Sequence, residues 1–364
     1  MPTRAGGDSG YPKVTVMILN YNGVRWLRRC LSSVLETEYP KYEIYLIDNG
    51  STDDSVEYVR QKYPSVKFIR NPANLGFAEA YNRAISQVEA EYIVLLNNDV
   101  EVLSTTWLDS LIKTANEGTK VGAVATRMVS MENDHVFDSV GSMGVPYWTE
   151  GFTEIGRGEL DADQYTNSFE PFAFCGGSAL IRKSAFIDAG TFDETFFLYY
   201  EDPDLSWRLR LRGWRVRYAS GARIAHYRGG TLGGGKVTPL MLYYIHRNFL
   251  RTIIKNCGAS LTWALRNYLL YTFLITSGFL IYEPRKSVML LKGIVWNIRN
   301  LRSSYAARQV VQSGRKVSEQ EILRRMYPGL IQKQTARHVA LTRIMNVVFD
   351  WGGRRKFQAV LTTE

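Results

Sequence analysis

The sequence predicts an α/β fold: a Rossmann-like, mixed but mostly parallel central sheet with flanking helices, followed by a helical C-terminal extension. Three observations predict it. From Lys13 onward, short apolar β-branched runs alternate with amphipathic segments, the pattern of strands joined through helices. The run Tyr92–Leu96 is apolar throughout, as a strand covered on both faces is. The last third carries long apolar stretches of helical type and almost no acidic residues.

The elements follow in order. Val14–Leu19 is a strand, and Val24, Leu27, Leu31, Val34 and Leu35 then recur at helical spacing. Tyr42–Ile47 is a second strand and Ser55–Tyr63 a short helix; Val66–Ile69 is a third strand, followed by a helix near Ala78–Val88; Tyr92–Leu96 is the fourth strand. Residues 130–172 are less regular and read as a long insertion over one face. A second compact block, Phe172–Tyr227, contains the strands Ala179–Ile181 and Arg223–Ala225. Leu261–Tyr282 is a mostly apolar run of 22 residues with Arg266 inside it. At helical rise it reaches about 30 Å, near the hydrocarbon thickness of a bilayer. Its uncharged part, Tyr268–Tyr282, is shorter than a usual span. A core helix, an interfacial or re-entrant segment and a spanning helix all remain open. Val288–Ile298 is a second apolar stretch, with Lys292 in it and Arg285-Lys286 before it.

The chain has 364 residues, 45% hydrophobic and 22% charged, which excludes global disorder. Cys30, Cys175 and Cys257 lie far apart with no CxxC pair, against both a disulfide framework and a structural zinc site. Net charge is +10, unevenly spread. Residues 1–204 hold 17 basic and 30 acidic side chains, and residues 205–364 hold 28 and 5. A basic half beside apolar helices points to an anionic membrane surface; a solvated basic face on a packed helical cap is the plainer alternative. The first residues, MPTRAGGDSGYP, lack an apolar core and read as a flexible tail, neither signal peptide nor anchor. The expected organisation is a tail at 1–12, an α/β domain at 13–250 and a basic, helix-containing region at 251–364. The expected location is the cytoplasmic face of the cell membrane, peripheral or monotopic.

Four polar clusters follow strand ends: Asn20 to Gly23, Asp48 to Asp54, Asn71 to Gly76, and Asn97-Asn98-Asp99. Singly, each is ordinary turn and cap chemistry. Together, on the carboxyl edge of a parallel sheet, they mark a ligand site. A carboxylate there suits a hard divalent cation, which takes one or two carboxylates and completes its shell with phosphate oxygens. Asp99 is the natural ligand, with Asn97 beside it. Glu201-Asp202-Pro203-Asp204 crowds three carboxylates, which raises some of their pKa values and equips one as a general base. The same residues also suit the first turn of a helix. His226 follows a strand end and is read either as a structural histidine or as a ligand to a transition-type ion.

These segments resemble glycosyltransferase family 2, inverting enzymes of the GT-A fold, and most of all its rhamnosyltransferase-like branch. The matching stretches are VTVMILNYNG at 14–23, IDNGSTDDS at 47–55, NPANLGFAEAYN at 71–82 and LLNNDV at 95–100. They continue through CGGSALIRKSAF at 175–186, the segment 190–218 containing YYEDPD, and AHYRGG at 225–230. The resemblance implies that Asn20, Asn22, Asp48, Asn74, Gly76, Asn82 and Asn98 line the nucleotide-sugar site, Gly76 permitting close backbone approach. It implies Mn²⁺ or Mg²⁺ held at Asp99 with Asn97 and His226. The family's acidic motif often has Asp where Asn97 stands, which places more weight on Asp99. Asp202 matches the catalytic base. Gly176, Gly177, Glu201, Asp204, Trp207 and Arg247 fall to the acceptor side; Arg247-Asn248 resembles a phosphate-side motif. Gly176-Gly177 reads equally as a tight turn, and Trp207 as plain core packing.

The implied reaction is single-displacement transfer from a nucleotide sugar, of dTDP-rhamnose or UDP-hexose type, to a hydroxyl of a lipid-linked or other glycan acceptor. A polyprenyl-phosphate glycosyl synthase is the alternative enzyme. A sugar nucleotidyltransferase would need a Gly- and Arg-rich loop where Asn20 to Gly23 stands. The non-enzyme alternative, a basic nucleic-acid-binding protein, lacks any accompanying helix-turn-helix, zinc or RNA-binding signature.

Overall fold

A computed structural model describes residues 10–118, 120–144, 152–227 and 237–326. Most of the expected tail, the Arg228-Gly229-Gly230 end of the last motif, and residues 327–364 of the basic region lie outside the described residues.

The N-terminal half alternates as its periodicity requires. It runs β1 (Val14–Asn20), α1 (Val24–Leu35), β2 (Tyr42–Asp48), α2 (Ser55–Lys62), β3 (Lys67–Arg70), α3 (Gly76–Ser86) and β4 (Tyr92–Asn97). Then come β5 (Val100–Val102), α4 (Trp107–Ala115), β6 (Val121–Ser130), β7 (Phe137–Ser139), β8 (Ser142–Gly144) and β9 (Phe152–Glu154). The second block is β10 (Ser178–Arg182), α5 (Lys183–Asp188), α6 (Glu201–Leu211) and β11 (Arg215–His226). The helical part is α7 (Pro239–Asn256), α8 (Leu261–Tyr282), α9 (Pro284–Arg299), α10 (Leu301–Ser313) and α11 (Glu319–Met326).

The main sheet has the order β3-β2-β1-β4-β10-β6-β11-β5, with β7 added on β6. β3, β2, β1 and β4 are mutually parallel. β10 then runs antiparallel to both β4 and β6, while β6 and β11 are parallel. The expected parallel sheet thus holds for the N-terminal half, and the second block makes it mixed. Alternate residues of each strand feed two cores. Val94 and Leu96 face α1 and α4 on one side, and Ile93 and Leu95 face α3, α5, α6 and α7 on the other.

Two strands exceed what periodicity shows. β6 is central and buried but rich in Gly and Ala, so its hydrophobic signal is weak; a Cβ on Gly122 would lie 2.9 Å from the Trp214 Cβ. β11 extends well before Arg223, with a break in register between Ala219 and Arg223 that interrupts the alternation. Among the described residues of 130–172, Phe137, Val140, Met143 and Ile155 form a satellite core against Tyr218 and Ala225. The insertion is thereby part of the sheet assembly.

Residue 250, the expected domain edge, falls inside α7. That helix buries His246 to Asn256 continuously, between the loop before α6 and the helices α8, α9 and α10. α8 buries Ala264, Asn267, Tyr268, Thr272 and Thr276 and leaves Leu269, Leu270, Phe273, Leu274, Leu280 and Ile281 exposed. This excludes the core-helix reading. Among the described residues it is the one helix long and apolar enough to cross a membrane.

Candidate active site

The parallel register sets the carboxyl ends of three strands side by side: Asn20 pairs with Asp48 and Leu19 with Asn97. The Asn20 amide is fully buried; it donates to Ser51 Oγ at 3.1 Å and accepts from Asn98 Nδ2 at 2.7 Å. Gly23 caps this pair, since a Cβ there would fall 2.0 Å from Asn98 Nδ2. Asn22, at φ 50°, accepts from the Thr52 amide at 2.7 Å and ties the first loop to the second. Asp48 is fully buried, accepts from the Ser51 amide at 3.1 Å and meets Arg70 Nε at 3.3 Å. Asn74 receives Asn49 Nδ2 at 2.9 Å and the Gly76 amide at 3.0 Å. The polar clusters are thus one interlocked floor, and Asn49, which sequence reading passed over, is its hub.

Beside this floor stands an acid–imidazole–acid line. His226 Nε2 lies 3.4 Å from Asp99 Oδ1, and Nδ1 lies 2.8 Å from Asp138 Oδ2. All three residues are buried. Burial works against a charged ring, but the Asp138 and Asp99 carboxylates outweigh it and raise the His226 pKa to about 9. Asp138 comes from β7, inside the insertion, where no local pattern marks it.

Asp202 occupies the first turn of α6 and accepts from the Gly176 amide at 2.8 Å through Oδ2. A Cβ on Gly176 would lie 3.6 Å from that Oδ2; one on Gly177 would lie 3.4 Å from His226 Cε1 and 3.6 Å from Asn97 Nδ2. Asp202 and the Asp99–His226 pair therefore face the same two-glycine turn from its two residues. Glu201, next to the base candidate, is buried, and its Oε2 has no hydrogen-bond partner among the described residues. Burial first, then the Asp202 charge, pushes its carboxyl well above the ordinary range.

Five expected site residues have other duties. Asn82 donates to Phe192 O and Glu194 Oε1, each at 3.0 Å, and so clamps a loop. Gly76, at φ +77°, makes a close approach to the Phe197 carbonyl, which a Cβ would meet at 2.2 Å. Asp204 is fully buried against Arg208 Nη2 at 2.9 Å and Lys255 Nζ at 3.0 Å. Trp207 packs on Phe152 and Phe172 at centroid distances of 6.3 and 6.1 Å, in the core. Arg247 is buried between Tyr243, Tyr244 and Trp296 and donates to the Thr195 carbonyl. Of these, the Asn82, Asp204 and Arg247 side chains are hydrogen-bonded or ion-paired to protein, while Trp207 Nε1 is buried without a hydrogen-bond partner among the described residues.

A divalent cation is tested by the donor set. Among the described residues no three His, Cys, Asp or Glu side chains form a closed cage. Asp99 with His226 Nε2 is a two-donor site whose imidazole is oriented through Nδ1 by a carboxylate. Ions that draw much of their shell from phosphate oxygens and water fit such a site.

Residues 15–190 match the family model described as Glycosyl transferase family 2. The chain is 29% identical over 311 residues to N-acetylglucosaminyl-diphospho-decaprenol L-rhamnosyltransferase of Mycobacterium tuberculosis, covering 76% of this chain and 97% of that one. In structure it is similar to Staphylococcus aureus TarS 1-349 in complex with UDP-GlcNAc, with a TM-score of 0.53, 16% identity and coverage of 86% and 89%. It is also similar to the mannosyltransferase PcManGT of Pyrobaculum calidifontis in complex with GDP-Man and Mn²⁺, with a TM-score of 0.51, 19% identity and coverage of 82% and 90%. The sheet and its relatives define a glycosyltransferase of GT-A type. Residues 15–190 carry the likeness to glycosyl transferase family 2, and the mycobacterial relative extends it over 76% of the chain.

Proposed function

We propose that this glycosyltransferase inverts the anomeric centre as it moves a sugar from a nucleotide-sugar donor, of dTDP-rhamnose or UDP-hexose type, to a hydroxyl of a lipid-linked glycan. The observation that carries the reading is the two-glycine turn flanked by Asp202 on one side and by Asp99 with His226 on the other. Asp202 takes the proton of the acceptor hydroxyl, whose oxygen attacks the anomeric carbon as the bond to the diphosphate breaks and its electron pair leaves with the nucleotide. Asp99 and His226 Nε2 would hold Mn²⁺ or Mg²⁺, with Asp138 accepting Nδ1–H to fix the ring. When bound, the cation supplies neutralisation of the departing diphosphate. The interlocked floor of Asn20, Asn22, Asp48, Asn74 and Asn98 shapes the donor side. Support for a lipid-linked acceptor comes from the decaprenol-linked substrate in the mycobacterial relative's name. The test is a donor screen by thermal shift with manganese, magnesium or chelator, followed by transfer to polyprenyl-diphosphate glycans. A metal-dependent shift with one nucleotide sugar is expected. No shift with any dTDP-, UDP- or GDP-sugar would sink the reading.

The acceptor also calls for a membrane surface. α8 exposes the apolar stripe described above, and α9 exposes Val288, Leu291, Val295 and Ile298 along one face, with Arg285, Lys292 and Arg299 exposed beside it. An apolar stripe with a basic margin is the composition of an interfacial helix pair. Phe273 is 69% exposed. Burying a Phe side chain is worth about 1.5–3 kcal/mol. Phe273→Asp is therefore expected to weaken co-sedimentation with anionic vesicles by about tenfold or more, with donor binding unchanged. Undiminished sedimentation would remove the helix pair from the contact.

A further inference from the structure

We infer that Asn248 is a positioning residue for Asp202, holding Tyr199 in the left-handed conformation that delivers the first turn of α6 to Gly176. The inference rests on Asp202 being the base, as proposed above. Tyr199 and Tyr200 have φ of 69° and 73°, successive positions where L side chains are disfavoured and where neither residue is glycine. Something outside the segment must hold them. Asn248, fully buried on α7, donates through Nδ2 to the Leu198 carbonyl at 3.0 Å and to the Tyr199 carbonyl at 2.7 Å. Those carbonyls belong to the peptide planes on either side of the Tyr199 Cα. One amide with two hydrogens thus restrains both rotations at that residue.

The orientation of the amide is itself determined. Asn248 Oδ1 accepts from Arg247 Nε at 2.8 Å, and a guanidinium only donates, so the NH₂ must face the two carbonyls. Arg247 is in turn held among three rings. Downstream, the Tyr200 carbonyl accepts from the Asp204 amide at 3.0 Å and starts α6, two residues before Asp202 reaches Gly176. The flanks have separate anchors: Arg251 and Lys255 bind Asp193, while Lys255 and Asn256 bind Asp204. Loss of Asn248 therefore frees the turn while its ends stay pinned. Arg247-Asn248 acts on the base-bearing turn rather than on phosphate.

The test is Asn248→Ala in the full chain, with kcat, KM and donor-induced thermal shift measured for each variant. Expected is a fall in kcat of about 10²-fold, as for an ångström-scale misplacement, with donor binding kept. Adding Tyr199→Gly should restore most of the loss, because glycine holds positive φ unaided. Combining Asn248→Ala with Asp202→Asn should be no worse than Asp202→Asn alone. A structural role would give neither rescue nor non-additivity, and that outcome overturns the inference. So does an unimpaired Asn248→Ala beside an inactive Asp202→Asn. A fully active Asp202→Asn overturns the base assignment and this inference with it.

Discussion

Asp202→Asn is expected to keep donor and metal binding and to lose transfer by about 10²–10⁴, the worth of a positioned general base. The substitution preserves shape and leaves an amide oxygen to accept from the Gly176 N–H, which Asp202 engages at 2.8 Å. What disappears is the ability to take a proton. Steady-state kinetics with a hydroxyl acceptor, set beside a thermal shift with donor, separates the two effects. The same variant discriminates between acceptors. A polyprenyl phosphate is already ionised and needs no base, so full activity of Asp202→Asn would redirect the assignment to a lipid-phosphate glycosyl synthase. Glu201 does not substitute: it is buried, and burial, the larger cause of its raised pKa, still disfavours its charged form when the Asp202 charge is gone.

Asp99→Ala is expected to reduce donor affinity in manganese to its value in chelator. With no second carboxylate in the Asn97-Asn98-Asp99 segment, Asp99 is its only anionic donor toward a cation. Removing it also takes away one of the two carboxylates on His226, which sits 3.4 Å away. Asp138→Asn leaves Asp99 in place and disturbs only the far nitrogen of the ring. Its expected cost is smaller, about 10–100-fold in metal affinity, the range for losing an outer partner of a ligating histidine. Direct titration with Mn²⁺ checks both variants without turnover. Equal metal affinity in wild type and Asp99→Ala would move the cation elsewhere.

Much of the site was legible in the order of the chain. Four polar clusters after four apolar runs could be placed on one sheet edge, because strand periodicity and parallel connection leave few alternatives. The motifs around Asp99, Asp202 and His226 stood out because carboxylates and imidazole are unusual next to buried strands. Asp138 was not legible. It belongs to a three-residue strand within an irregular insertion, and the histidine it meets lies 88 positions away. Asn82, Asp204, Trp207 and Arg247 show the converse. Their residue types suit a site, but Asn82, Asp204 and Arg247 meet partners on α6, α7, α9 or the loop after α5, and the Trp207 ring is set against Phe152 and Phe172.

By itself the sequence determined which segments become strands and helices, which ends are polar, and that the last third pairs basic side chains with apolar helices. Those properties follow from spacing along the chain, where neighbours are known. Only the tertiary structure decided which polar groups are paired within the protein, and that α7 bonds to the loop before α6. A hydrogen bond or an ion pair is settled by whichever group arrives within about 3 Å, and at this site such groups come from distant parts of the chain, as His226 and Asp138 do, 88 positions apart.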